Sequence, residues 1–146
     1  MKFFHSMSFR IFVYYYEDYF EVKDKLTQLL KTVQSEKEIK IEEQKASGLD
    51  DNNIIILTSK IQKSSQINKL LQTICQNTKL KDDLNQKLSD DLNLYIRLKK
   101  EDFLEGKHTL TQSGDCLHIT VAVAAYPKTI ENAQLAVDKF LESKIL

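Results

Sequence analysis

The chain has 146 residues, with 21 basic and 21 acidic side chains, 42% hydrophobic residues and no net charge. That length suits one domain spanning 1–146, able to bury roughly 70% of its unfolded surface, and the composition excludes a disordered chain. Zero net charge excludes the overall basic footprint of an indiscriminate nucleic-acid binder, though not a local basic patch.

Residues 3–14 alternate as a half-buried strand. His5, Met7, Phe9, Ile11 and Val13 fall on the apolar face, and Phe4, Ser6, Ser8, Arg10, Phe12 and Tyr14 on the other. His5, Ser6, Ser8 and Arg10 also break up any signal-peptide core. No apolar run approaches the roughly 18 residues of a membrane span, so a soluble, cytoplasmic protein is expected. A helix is predicted over about 18–33, where Tyr19, Val22, Leu26, Leu29, Leu30 and Val33 keep helical spacing and Glu17 and Asp18 suit its positive end. Segments 37–44 and 53–61 read as two strands of a hairpin joined by the turn-rich "ASGLDDNN". The first of them, with Lys40 and Glu42, looks like an edge strand.

Ser64 or Ser65 can cap a helix that buries Ile67, Leu70, Leu71 and Ile74, with Cys75 beside them. A weaker helix at 79–89 spaces Leu80, Leu84 and Leu88 by four. A strand at 92–99, a short segment ending at Gly106 and a strand at 107–112 follow, then a tight turn at 113–115 that exploits Gly114. The strongest strand begins at Cys116, with Leu117, Ile119, Val121 and Val123 on its apolar side, and Pro127 ends it. Thr129 can cap a last helix over 130–143. The order β-α-β-β-α-α-β-β-β-α predicts an α+β fold, a mixed sheet packed on helices with its second face at least partly open.

Catalytic signatures are sparse. His5, His108 and His118 lack short metal-ligand spacings, and three glycines cannot build a phosphate cradle. Cys75 and Cys116 are too few and too far apart for a disulfide framework or a zinc site, and read as reduced, small apolar groups. Cys116 and His118 share one strand side but have no obvious orienting carboxylate. The pairs Asp50–Asp51, Asp82–Asp83 and Asp90–Asp91 are adjacent residues, better read as turn formers and helix-end charges than as converging ligands. No enzymatic activity, metal or cofactor is expected.

The informative feature is the second face of the strands. Ser6, Ser8, Arg10, Phe12 and Tyr14 share it with Asn93, Tyr95, Arg97 and Lys99 and with His118, Thr120, Ala122, Ala124 and Tyr126, provided the strands are neighbours. Guanidinium groups, rings and hydroxyls are what single-stranded RNA is read with: bases stack and cations meet phosphates. Arg10, Tyr95, Arg97, Lys99 and His118 are the candidate contacts. The competing expectation is that the arginines pair with carboxylates and the rings meet a partner protein or a second copy, as a scaffold or homodimer. The lysines at 60, 63, 69, 79, 81 and 87 read as a solvated helix surface.

The segments "HSMSFRIFVYYYED", "NNIIILTSKI", "LNLYIRLKKEDFLEGKHTL" and "GDCLHITVAVAAYP" resemble the archaeal family of small RNA-binding proteins proposed as exosome subunits, in matching order over essentially the whole chain. The resemblance implies a fold like the ribosomal large-subunit protein that contacts 5S RNA. It also implies a non-catalytic role in RNA processing or exosome-type degradation, with RNA and exosome proteins as partners. Lys99–Lys100, where an acidic residue before the lysine is expected, makes the later strand more basic.

Overall fold

The computed structural model describes residues 2–47 and 52–143. Most of the turn expected at 46–53, with the Asp50–Asp51 pair, lies outside the described residues. The elements are β1 (Phe4–Val13), α1 (Tyr19–Lys31), β2 (Glu42–Ser47), β3 (Asn53–Ile61), α2 (Ser64–Asn77), α3 (Leu80–Asp83), β4 (Asn93–Lys99), α4 (Lys100–Leu104), β5 (Cys116–Val123) and α5 (Ile130–Glu142). One five-stranded antiparallel sheet runs in the order β2-β3-β1-β5-β4. The fold is α+β, as the alternation of strands and helices implies. No helix among the described residues is long and apolar enough to cross a membrane.

The chain divides into two compact units, Met1–Ser8 with Ile61–Ile96 and Ile119–Leu146, and Phe9–Lys60 with Arg97–His118. β1, β4 and β5 each run from one unit into the other.

In the first unit α2 buries Ile67, Leu70, Leu71, Ile74 and Cys75, the apolar face its spacing predicts. The cap differs. Lys63 precedes the helix and no side chain caps it, while Ser64 and Ser65 lie inside the first turn. The helix expected over 79–89 is only α3 followed by a 3-10 turn at Leu84–Lys87. Leu80 and Leu84 are fully buried, but Leu88 bridges to Leu94, which draws the chain out into extended form. Thr129 caps α5 as predicted, its hydroxyl accepting from the Asn132 N–H at 3.2 Å. At the start of β1 the strict alternation fails. Phe4 is fully buried with its ring edge-on to Phe140 at 5.0 Å, while His5 is only half-buried against the Tyr126 ring. Burying a phenyl ring gains more than burying an imidazole.

In the second unit Asp18 caps α1, its carboxylate accepting from the N–H groups of Phe20 and Glu21. Val22, Leu26, Leu29 and Leu30 form the buried stripe, each contributing roughly 1.5–3 kcal/mol relative to exposure. β2 is the exposed edge strand expected, but it starts five residues later than its composition suggests, at Glu42. Residues 35–38 turn instead, the Glu38 carboxylate accepting from the Ser35 N–H at 3.0 Å. Gly106, at φ +82°, ends α4. The strand expected at 107–112 makes one bridge, Leu98 to Leu110, and Gly114 turns at φ +85°.

Candidate nucleic-acid interface

Strand alternation builds the site in the second unit. Along β4, Leu94, Ile96 and Leu98 are buried while Tyr95, Arg97 and Lys99 are exposed. Along β5, Ile119, Val121 and Val123 are buried and His118 is half-buried on the opposite parity. β1 places Phe9, Ile11 and Val13 inside and Arg10 outside, with Phe12 half-buried beside it. Because β5 lies between β1 and β4 in the sheet, Arg10, His118 and Arg97 come from three adjacent strands.

The contacts fit that placement. The Arg10 guanidinium lies 5.6 Å from the centre of the Phe12 ring, and the His118 ring stands edge-on to Phe12 at 6.2 Å. Arg97 donates one N–H to the Gln112 carbonyl at 2.9 Å, which fixes its direction and leaves other donors of its fork. Among the described residues neither Arg10 nor Arg97 has a carboxylate within ion-pair distance. Lys99 is half exposed and reaches Glu101 only at 4.0 Å. Burial lowers the His118 pKa, and Arg10 and Arg97 lower it further against the opposing pull of Asp115, so the site disfavours the protonated imidazole.

The acids of this region are taken up by Lys100, which the sequence marks only as part of a more basic segment. Lys100 is only 2% exposed. Its ammonium pairs with Asp115 at 2.7 Å and Glu17 at 2.9 Å, donates to the Phe12 carbonyl at 2.5 Å and lies 4.7 Å from the centre of the Tyr14 ring. Of the Lys99–Lys100 pair that makes this segment more basic, only Lys99 therefore faces outward. The signal was in the sequence: Leu94, Ile96 and Leu98 set the buried parity, and position 100 continues it. Its partners, 83 and 15 residues away, carried no such signal.

Tyr95 belongs to the first unit. Its hydroxyl donates to the Asp91 carboxylate, the largest cause of a lowered Asp91 pKa, and its ring is 42% exposed. Of the five candidates, Arg10, Arg97, Lys99 and His118 thus share one unit, and Tyr95 shares with Arg97 and Lys99 only the outward parity of β4. Tyr15 and Tyr16, 68% and 71% exposed, were missed as candidates although the run of three tyrosines after the strand marked them.

The Cys116–His118 pair lacks the character of an activated nucleophile. Cys116 Sγ lies 3.4 Å from His118 Nε2, yet burial raises the thiol pKa, the reverse of what a thiolate needs. Cys75 is likewise free and buried, pushed up to about 11. Among the described residues no three His, Cys, Asp or Glu side chains converge as metal ligands.

A family model described as RNA binding matches residues 6–123. The RNA-binding protein PAB1135 of Pyrococcus abyssi is 25% identical over 147 residues, covering 96% of this chain and 95% of that protein. Among solved structures, Mth689, a DUF54 protein from Methanothermobacter thermautotrophicus, superposes with a TM-score of 0.78 at 25% identity, over 95% of this chain and 98% of that one. SSO0741 from Sulfolobus solfataricus, at 17% identity, shares the fold with a TM-score of 0.68 over 92% and 98% of the two chains. With four-fifths of its length matched by the family model, the chain belongs to this RNA-binding family.

Proposed function

We propose that the protein is a non-catalytic RNA-binding protein whose contacts are Arg10, Arg97, Lys99 and His118, with Tyr95 further along β4. The observation that carries this reading is the pair of arginines on neighbouring parts of one sheet face without an acidic partner, beside half-buried rings. A cation left unpaired on such a face is available to a phosphate, and an arginine plane can also stack on a base. Zero net charge is compatible with this, because Glu17 and Asp115 pair with the buried Lys100 rather than with the arginines. The family assignment supports RNA as the ligand. A role as an accessory to RNA processing or exosome-type degradation is supported by the resemblance described above, and it requires that the chain alone leave RNA intact.

The test is a fluorescence-anisotropy titration with a labelled mixed-sequence single-stranded RNA. The wild type is expected to bind, and Arg10→Ala plus Arg97→Ala to bind at least about tenfold more weakly, with unchanged circular dichroism. Each charge-assisted contact removed is worth roughly 1.5–3 kcal/mol. Equal affinity in a folded double variant contradicts the assignment.

A further inference from the structure

We infer that Tyr15 and Tyr16, backed by the half-buried Tyr14, form a ledge on which unpaired RNA bases stack, continuous with the arginine face; the inference rests on the RNA-binding reading above. The rings follow one another without a gap. His118 meets Phe12, Phe12 meets Tyr14 at 6.5 Å between centres, Tyr14 and Tyr16 are parallel to within 5° at 5.8 Å, and Tyr15 stands edge-on to Tyr16 at 5.4 Å. The series passes from half-buried rings at the sheet to strongly exposed ones at Tyr15 and Tyr16.

The ledge is preorganised. The Glu17 N–H donates to the Tyr14 carbonyl at 2.9 Å, and the Tyr14 N–H donates back to the Glu17 carboxylate at 3.0 Å. That carboxylate is held by the buried Lys100. A turn closed in both directions and anchored to an internal ion pair loses little freedom when a ligand arrives.

The exposed chemistry selects the ligand. Among the described residues the large exposed apolar side chains are Tyr15, Tyr16, Phe20, Tyr95, Tyr126 and Leu135, so only Leu135 is aliphatic. A protein interface core needs close-packed apolar surface sealed by a rim, and in this unit the large exposed apolar side chains among the described residues, Tyr15, Tyr16 and Phe20, are all rings. Planar bases need only the ring face, and their phosphates find Arg10 beside Phe12. In an A-form duplex the base faces are already stacked, so the ligand class is single-stranded RNA.

The chain has six tyrosines and no tryptophan, and four of the six lie between 14 and 19, so intrinsic fluorescence reports on this corner. We would titrate the full chain with a mixed-sequence RNA as a single strand and as a duplex, following tyrosine emission corrected for RNA absorbance together with anisotropy of labelled RNA. The wild type is expected to be quenched by the single strand and not by the duplex. Tyr15→Leu plus Tyr16→Leu, at exposed positions, is expected to bind at least about tenfold more weakly, the loss of one stacked base, with an unchanged salt slope. If the wild type binds RNA and the double variant binds it equally well, the ledge is overturned while the arginine face stands. If the wild type binds no RNA, the functional reading itself fails. A concentration-dependent dimer dissociated by the same substitutions, with RNA affinity untouched, also overturns the ledge and assigns it to a second copy.

Discussion

Lys100 holds Phe12, Glu17 and Asp115 from a position with almost no solvent contact. Removing the lysine strands the half-buried Glu17 carboxylate while the more exposed Asp115 stays solvated, at a cost of about 3 kcal/mol, the low end for a buried pair. Lys100→Met is therefore expected to lower the unfolding free energy in urea by that order. Adding Glu17→Gln should cost much less in this background than in the wild type, and strict additivity would show that the pair does not interact. His118 makes a different prediction. Its pKa is lowered by burial first and by both arginines next. A phosphate placed between those arginines opposes their effect and raises the pKa, so binding takes up a proton. RNA affinity is expected to rise between pH 7.5 and pH 5.5 and to lose most of that dependence in His118→Gln, measured by anisotropy at fixed salt.

At the scale of elements, what the sequence made legible follows from local signals. The buried stripe of α1, the cap at Thr129, the buried parity of β4 and β5 and the turn at Gly114 each depend on residues a few positions apart. The misplaced pieces depend on partners far along the chain. β2 begins only where Glu42 meets Thr58 across the hairpin, and Ser59 ties the preceding coil through the Lys40 carbonyl. Residues 79–89 keep helical spacing, but the Leu88–Leu94 bridge takes Leu88 away. The candidate site shows the same division: outward parity revealed Arg10, Arg97 and Lys99, while the fate of Lys100 turned on Glu17, 83 residues earlier. Gly114 offers an element-scale test. An added Cβ meets nothing within 4 Å, but φ +85° disfavours any L side chain, so Gly114→Ala is expected to cost about 1 kcal/mol and lower the melting temperature without altering the fold.

For the whole molecule, we propose that the two units unfold as one domain, because β1, β4 and β5 pass through both. One calorimetric transition, with equal calorimetric and van't Hoff enthalpies, is the expected result; two separated transitions contradict it. All three histidines have pKa values lowered from 6.5, chiefly by burial. Below about pH 6.5 the unfolded chain binds protons that the folded chain resists, so their contribution to stability is full above that pH and declines as the pH falls through the folded values. The urea midpoint is expected to drop between pH 7.5 and pH 5.5, and a flat profile over that interval contradicts the burial of these rings.

The central claim is that phosphates meet Arg10 and Arg97, and the salt dependence of binding tests it most directly. Affinity for a single-stranded RNA would be measured across a series of salt concentrations for the wild type and for Arg10→Ala plus Arg97→Ala. Each phosphate contact contributes a slope of about 0.7 in log affinity against log salt on a single strand. The double variant is expected to give a line shallower by about 1.4. Parallel lines would mean that the two arginines touch no phosphate, and the interface would have to lie elsewhere on the molecule.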